Sequence, residues 1–165
     1  MTKNEIEKIK EFLDTLLDKK SNLQFEPHNF KINSKSWKKI TVNGEEYKVN
    51  SKKDVWEILE GYGKGEQLFT YIAAIRETQK AGKRMPTDEE FTELLKTKED
   101  MPNLVFYGYR DTDGSFYGRT TYALLWSSTE SGTGAWIRNL NSGYSTVYRH
   151  TDDKAYGFSV RCIKN

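Results

Sequence analysis

After residue 100 the chain is cut by turn signals into pieces too short for helices. Asp113-Gly114, Tyr117-Gly118 and Ser142-Gly143 separate apolar or aromatic runs such as LVFYGY, ALLW, AWI and FSVRCI. Short runs of this kind between glycine turns read as strands. Upstream of residue 100 the apolar spacing is mostly that of helices. Helices first and strands after predict an α+β fold. At 165 residues, without an internal repeat or a linker, the chain reads as a single domain.

Residues 3–19 predict a helix with Ile6, Ile9, Leu13, Leu16 and Leu17 on one side. The expectation is a helix packed on its own domain, with self-association as the alternative. Two and a half heptads are few for a coiled coil. WKKITVNGEEYKV predicts a hairpin, because Asn43-Gly44 suits a turn with positive φ at both central residues. A short helix is expected over about 54–60, with Asp54 as N-cap, and GYGKGE (61–66) reads as a flexible connection. A longer helix is expected over 66–80, burying Leu68, Phe69, Ile72 and Ile75 and ending before Gly82. Thr87 and Glu90 have the spacing of a capping box, with Phe91, Leu94 and Leu95 on the buried side of that helix.

The 26 basic and 24 acidic residues leave a net charge of +2, which gives no case for nucleic-acid binding or membrane attachment by bulk charge. No apolar run approaches the roughly 20 residues that span a bilayer. The N-terminus is amphipathic rather than a signal-peptide core. The default expectation is a cytoplasmic or particle-associated protein.

Catalytic chemistry has no visible home. The single cysteine, Cys162, alternates with Phe158 and Val160 and reads as a buried thiol; His28 and His150 are far apart. HExxH, paired CxxC and GxSxG spacings are absent. Asp111-Thr112-Asp113-Gly114 lacks the distal glutamate of a calcium loop and reads as a turn. Asp152 and Asp153, adjacent on an extended chain, point to opposite faces and read as a solvated pair. The expectation is therefore a protein that is not an enzyme, with no metal and no cofactor.

Residues 131–156 use a different vocabulary. Lysine and glutamate make up 34 of the 165 residues, so about five belong in this stretch; it holds one, Lys154. Ser, Thr, Asn, Gly, Tyr and Asp take over. Poor strand propensity explains part of this depletion. The palette is also that of antibody loops, where tyrosine gives rigid contact area and small polar residues give adaptable hydrogen bonds.

KRMPTDEEFTELL resembles the helix start of C-type-lectin-like domains of the formylglycine-generating-enzyme type. GYRDTDGSFYGR, ALLWSSTE and GFSVRC, in that order, are similar to the Fibrobacter succinogenes major paralogous domain family. The family overlaps with the variable proteins of diversity-generating retroelements. The resemblance covers roughly residues 70–165 and leaves the first 60 residues outside it. It implies a C-type-lectin-like fold with N-terminal helices and a small twisted antiparallel sheet, FSVRCI lying within the sheet and the first and last strands near each other. It further implies a segment, 134–156, in which a reverse-transcriptase system substitutes adenines of asparagine codons. Such changes cannot produce Lys, Glu, Gln, Trp or Met.

Set against the family pattern AWNRNLNxNNxxVNRNNNNKxNGFSVRC, this chain keeps Ala135, Trp136, Arg138, Leu140, Val147, Arg149, Lys154, Gly157 and Phe158. It differs at Ile137, Gly143, Tyr144, Thr146, Tyr148, His150, Thr151, Asp152, Asp153 and Tyr156, each reachable from an asparagine codon. Asn139, Asn141 and Ser142 fit either set, and Gly134 is a further candidate. The resemblance thus implies a ligand-binding surface of Gly134, Ile137, Asn139, Ser142, Gly143, Tyr144, Thr146, Tyr148, His150, Thr151, Asp152, Asp153 and Tyr156. Trp126, Trp136, Arg138, Leu140, Val147, Arg149 and Phe158 would be its scaffold. Alternation in TVYRH puts Thr146, Tyr148 and His150 on one face and Val147 and Arg149 on the other, where Arg149 needs a carboxylate or carbonyl partner inside, or a rim position. The implied partner is a protein or cell-surface ligand. A structural or adhesin domain of the same fold without active diversification is the alternative. An enzyme related to formylglycine-generating enzymes lacks its cysteines and histidine cluster in this chain. A calcium-dependent sugar binder lacks its EPN or QPD and WND triplets.

Overall fold

The computed structural model describes residues 1–21 and 23–164, with the side chains of 16–21 left out of the description. Helix α1 (Lys3–Ser21) opens with Thr2 Oγ1 accepting from the Glu5 amide at 3.2 Å. Among its described side chains, Ile6, Ile9, Phe12 and Leu13 are all exposed rather than packed on the domain. The expected intramolecular packing is corrected on this point, and the part of it resting on Leu16 and Leu17 lies outside the described side chains.

A four-stranded antiparallel sheet follows in the order β1-β2-β3-β4. The hairpin of β1 (Lys38–Val42) and β2 (Glu45–Asn50) turns at Asn43 (φ 49°) and Gly44 (φ 81°), the positive pair that an Asn-Gly turn provides. The helix expected over 54–60 is instead β3 (Val55–Ile58), paired with β2 and with β4 (Gln67–Phe69). Val55, Trp56 and Ile58 are buried, so the strand is covered on both faces and shows no alternation to betray it. Asp54 has φ 53° and is a left-handed turn residue, not an N-cap. The helix expected over 66–80 starts five residues later, as α2 (Tyr71–Lys80), where Thr70 Oγ1 accepts from the Ala73 amide. Leu68 and Phe69 are buried as β4 residues, while Ile72 is exposed. Gly82 (φ 68°) closes the helix end. Helix α3 (Asp88–Leu94) carries the full Thr87–Glu90 capping box.

The second sheet has the order β6-β5-β7-β8-β9. Its strands are β5 (Tyr107–Arg110), β6 (Phe116–Arg119), β7 (Tyr122–Ser131), β8 (Gly134–Asn141) and β9 (Val147–Asp153). Gly108 (φ 78°) has no alternative on β5: a Cβ there would sit 2.1 Å from the Tyr117 carbonyl oxygen. β5 meets β7 in parallel at Gly108 and Ala123; the other pairs are antiparallel.

The last residues stitch the two sheets together. Phe158 bridges Phe69 of β4, Gly157 bridges Arg110 of β5, Ser159 bridges Leu125 of β7, and Ile163 bridges Phe25. FSVRCI thus pairs through single bridges, wholly buried, rather than as a regular strand. At this seam Trp126 is fully buried, its Nε1 donating to the Phe69 carbonyl at 2.7 Å and its ring 4.5 Å from that of Phe158. A second cluster, with Phe91, Leu95, Leu125 and Leu140, fills the space between α3 and the sheet. Cys162 is buried, and burial pushes its thiol up to about 12, which leaves it inert at neutral pH. No helix among the described residues is long and apolar enough to cross a membrane.

Candidate functional site

The β8–β9 hairpin carries most of the residues singled out in the sequence. Its register sets Ile137 opposite His150, Asn139 opposite Tyr148 and Ala135 opposite Asp152. Directly opposed residues share a face and neighbours along a strand alternate. One face therefore carries Ile137, Asn139, Tyr148, His150 and Asp152. The other carries Trp136, Arg138, Leu140, Val147, Arg149, Thr151 and Asp153, and turns towards α3.

On the α3 side one carboxylate holds two arginines. Asp88 accepts from Arg138 Nη1 at 2.7 Å and from Arg149 Nη2 at 2.6 Å. Arg138 is buried, and its second nitrogen donates to the Asp88 carbonyl and to Thr92 Oγ1. Arg149 lies over the Trp136 ring, 3.5 Å from its centre. The hydrogen bonds from Arg149, with those of Arg138, hold the Asp88 carboxyl below its ordinary range against the opposing effect of burial. This clamp fixes both strands to a helix end whose position is set by its own capping box.

The hairpin tip is braced from below. Lys98 Nζ donates to the Ser142 carbonyl at 2.7 Å, the Ser142 amide donates to Thr121 O, and Asn141 Oδ1 accepts from the Gly143 amide at 2.8 Å. Ser142, Gly143, Tyr144 and Thr146 are exposed at this tip. Tyr144 is 62% exposed and Tyr148, on the strand beyond, 49%. Two large rings are thus held in solvent on a fixed backbone.

The face away from α3 opens into a pocket of about 290 Å³, lined by Tyr109, Tyr122, Leu124, Asn139, His150, Asp152, Tyr156 and Phe158. Tyr156 stacks on Phe158 with ring centres 5.4 Å apart, and Tyr109 stands edge-on to Phe158 at 6.1 Å. His150 Nδ1 lies 3.3 Å from Asp152 Oδ2. Burial raises the Asp152 carboxyl, and His150 works against that rise.

The structure therefore sorts the sequence-derived residues into several groups. Asn139, His150, Asp152 and Tyr156 meet at the pocket, with Tyr148 on the same face beside them. Ser142, Gly143, Tyr144 and Thr146 form the tip. Thr151 and Asp153 are exposed on the opposite side. Two assignments are corrected. Ile137 is fully buried against Trp126 and its cluster, and so has no surface to offer a ligand. Gly134 is a packing glycine, since a Cβ there would lie 2.5 Å from the Asp152 carbonyl oxygen. Among the scaffold residues, Trp126, Arg138, Leu140 and Phe158 are buried, Trp136 and Val147 are half-buried, and Arg149 is exposed but tied to Asp88. Sequence reasoning missed Asp88, Lys98, Tyr109 and Tyr122. Only Asp88 left a trace, in the demand of Arg149 for a carboxylate. Among the described residues no three His, Cys, Asp or Glu side chains converge as a metal site.

A family model described as the Fibrobacter succinogenes major domain matches residues 14–164. The match reaches well upstream of residue 70, so the β1–β2 hairpin and β3 lie inside the family's extent and not outside it. No curated protein and no solved structure matches the chain.

Proposed function

The chain belongs to the Fibrobacter succinogenes major domain family, and from that premise we propose that it is a non-enzymatic recognition protein of C-type-lectin-like fold. It displays a hypervariable face, diversified by a retroelement, to a protein or cell-surface ligand, without binding nucleic acid or inserting into a membrane. The supporting observation is the arrangement of the β8–β9 hairpin: exposed Tyr144 and Tyr148 on a backbone clamped by Asp88 and braced by Lys98. Rigid aromatic anchors amid small polar neighbours are what a recognition surface uses.

Tyr144→Ala and Tyr148→Ala are expected to leave unfolding free energy within about 0.5 kcal/mol of the parent, as surface changes do. In ligand binding measured by surface plasmon resonance each is expected to cost on the order of 2 kcal/mol. Binding that ignores both tyrosines would refute the face. The diversification half is read from DNA: a reverse-transcriptase gene nearby and a near-copy of the sequence encoding 134–156, differing only at adenines. A complete genome lacking that copy leaves the second reading, an adhesin or structural domain without active diversification.

The exposed apolar side of α1 suits self-association of this chain. Ile9→Asp with Leu13→Asp is expected to abolish concentration-dependent assembly in sedimentation velocity. A wild-type chain that stays monomeric throughout would remove this role.

A further inference from the structure

The pocket on the open face has a definite chemistry. Four of its walls are aromatic: Tyr109, Tyr122, Tyr156 and Phe158. Aromatic ring faces carry negative potential and attract cations. Asp152 adds a carboxylate, and it is the one formally anionic side chain of the lining. Beyond the lining, Asp111 adds negative field at Tyr109 and Tyr156, and Asp113 at Tyr156.

The basic groups nearby are otherwise engaged. Lys154 is paired with Glu130 at 2.8 Å, Arg110 is packed on the Trp56 ring at 4.2 Å, and Arg149 is bound to Asp88 on the opposite face. Among the described residues the ion pair to Asp152 comes from His150, through Oδ2 at 3.3 Å, which leaves Oδ1 to accept from a ligand. One acceptor is also unmet: Asn139 Oδ1 is shut off from solvent and has no hydrogen-bond partner among the described residues. An unpaired buried acceptor is a standing demand for a donor.

We propose that this pocket takes the cationic end of a basic side chain, a guanidinium or an ammonium, presented by a protein partner. The proposal rests on the recognition-face reading above and names what part of a partner it grips. A guanidinium fits best. Its plane stacks on tyrosine rings while its N–H groups fork onto Asp152. A volume of about 290 Å³ lies at the small end of ligand pockets and has room for one basic side chain. An anion would meet Asp152 and the π faces unfavourably.

The probes are Nα-acetyl-arginine amide and its citrulline counterpart, which has the same shape and no charge. Each is titrated into the full chain and followed by NMR of the tyrosine rings and the Asn139 carboxamide. The arginine probe is expected to shift these signals saturably, with citrulline roughly tenfold weaker or more. Asp152→Asn is expected to weaken arginine roughly tenfold and leave citrulline unchanged. Lys39→Ala, on exposed strand β1 of the other sheet, should change neither. Equal binding of the two probes, shifts confined to residues outside the pocket, or no saturable shift at all would each overturn the assignment. Should the arginine probe fail while Tyr144→Ala and Tyr148→Ala still abolish capture of a ligand, only the cation pocket is lost. Arginine binding with a ligand indifferent to both tyrosines would instead remove the wider face and keep the pocket.

Discussion

Asp88→Ala is expected to lower the unfolding free energy by about 3–5 kcal/mol, the cost of breaking a buried ion pair by removing one partner. The size follows from what is left behind. Arg138 is 2% exposed and cannot turn to water when its carboxylate goes. Its remaining partners are the Asp88 and Ile137 carbonyls and Thr92 Oγ1, which satisfy hydrogens but carry no compensating charge. Arg149 is half exposed and recovers hydration, so its release adds little to the thermodynamic cost but frees β9 from α3. Urea denaturation reads the result as a lowered midpoint at unchanged slope. Asp88→Ala combined with Arg138→Met should recover much of the loss, because the buried charge is gone. A cost under about 1 kcal/mol for Asp88→Ala alone would mean that the clamp is decoration.

The same carboxylate gives the acid limb of stability. Its pKa is depressed in the folded chain, chiefly by Arg149 and Arg138. The stabilisation is therefore full above the unfolded value of about 3.9 and is lost as pH falls through the folded one. Glu77 behaves alike: burial pushes its carboxyl up, yet hydrogen bonds from Arg76 and Lys53 outweigh that and bring it to about 2. In Asp88→Ala the decline of stability below pH 4 should be shallower than in the parent, with Glu77 supplying what remains.

How much of this could be read from the sequence depends on the range of each interaction. The Asn43-Gly44 turn and the Thr87–Glu90 capping box are complete within a few residues, and both are present as read. The alternation over 147–150 is also local, and the register of β8 and β9 obeys it, whereas Thr146 precedes β9 and bridges Thr97 instead. Val55–Ile58 failed because a strand buried on both faces and a short helix both show an unbroken apolar run. Only its neighbours β2 and β4 decide between them, and pairing partners are not written in the run itself. The partners of Asp88 lie 50 and 61 residues away, beyond any window of pattern reading. The pocket was half legible for the same reason: Asn139, His150, Asp152 and Tyr156 share one compositional block, whereas Tyr109 and Tyr122 arrive from strands β5 and β7. For α1 the period revealed a helix with an apolar side but not what that side faces.

Ile137 tests where the scaffold stops and the proposed recognition face begins, and Ile137→Asn is expected to cost about 3–5 kcal/mol. Asparagine is the residue the family pattern carries there, so codon logic alone would class the change as tolerated. The burial argues otherwise. Ile137 is 0% exposed and packs in the cluster that holds Trp126, Ala135 and Phe158. Removing its side chain from that site forfeits about 1.5–3 kcal/mol of apolar burial. The new carboxamide adds about 1–3 kcal/mol if its groups stay unpaired. In a chain of this length the sum corresponds to a fall in Tm on the order of 10 °C. Tyr148→Asn, on the same face of the hairpin but exposed, should move Tm by no more than about 2 °C. Ile137→Val, which removes one methylene and adds no polar atom, should cost only about 0.5–1.5 kcal/mol. If Ile137→Asn instead matches Tyr148→Asn, the core repacks around a polar residue and the proposed face extends one row deeper into the sheet. If the large difference holds, folding excludes this position from the proposed face, which is then confined to the tip and the outer row of β9.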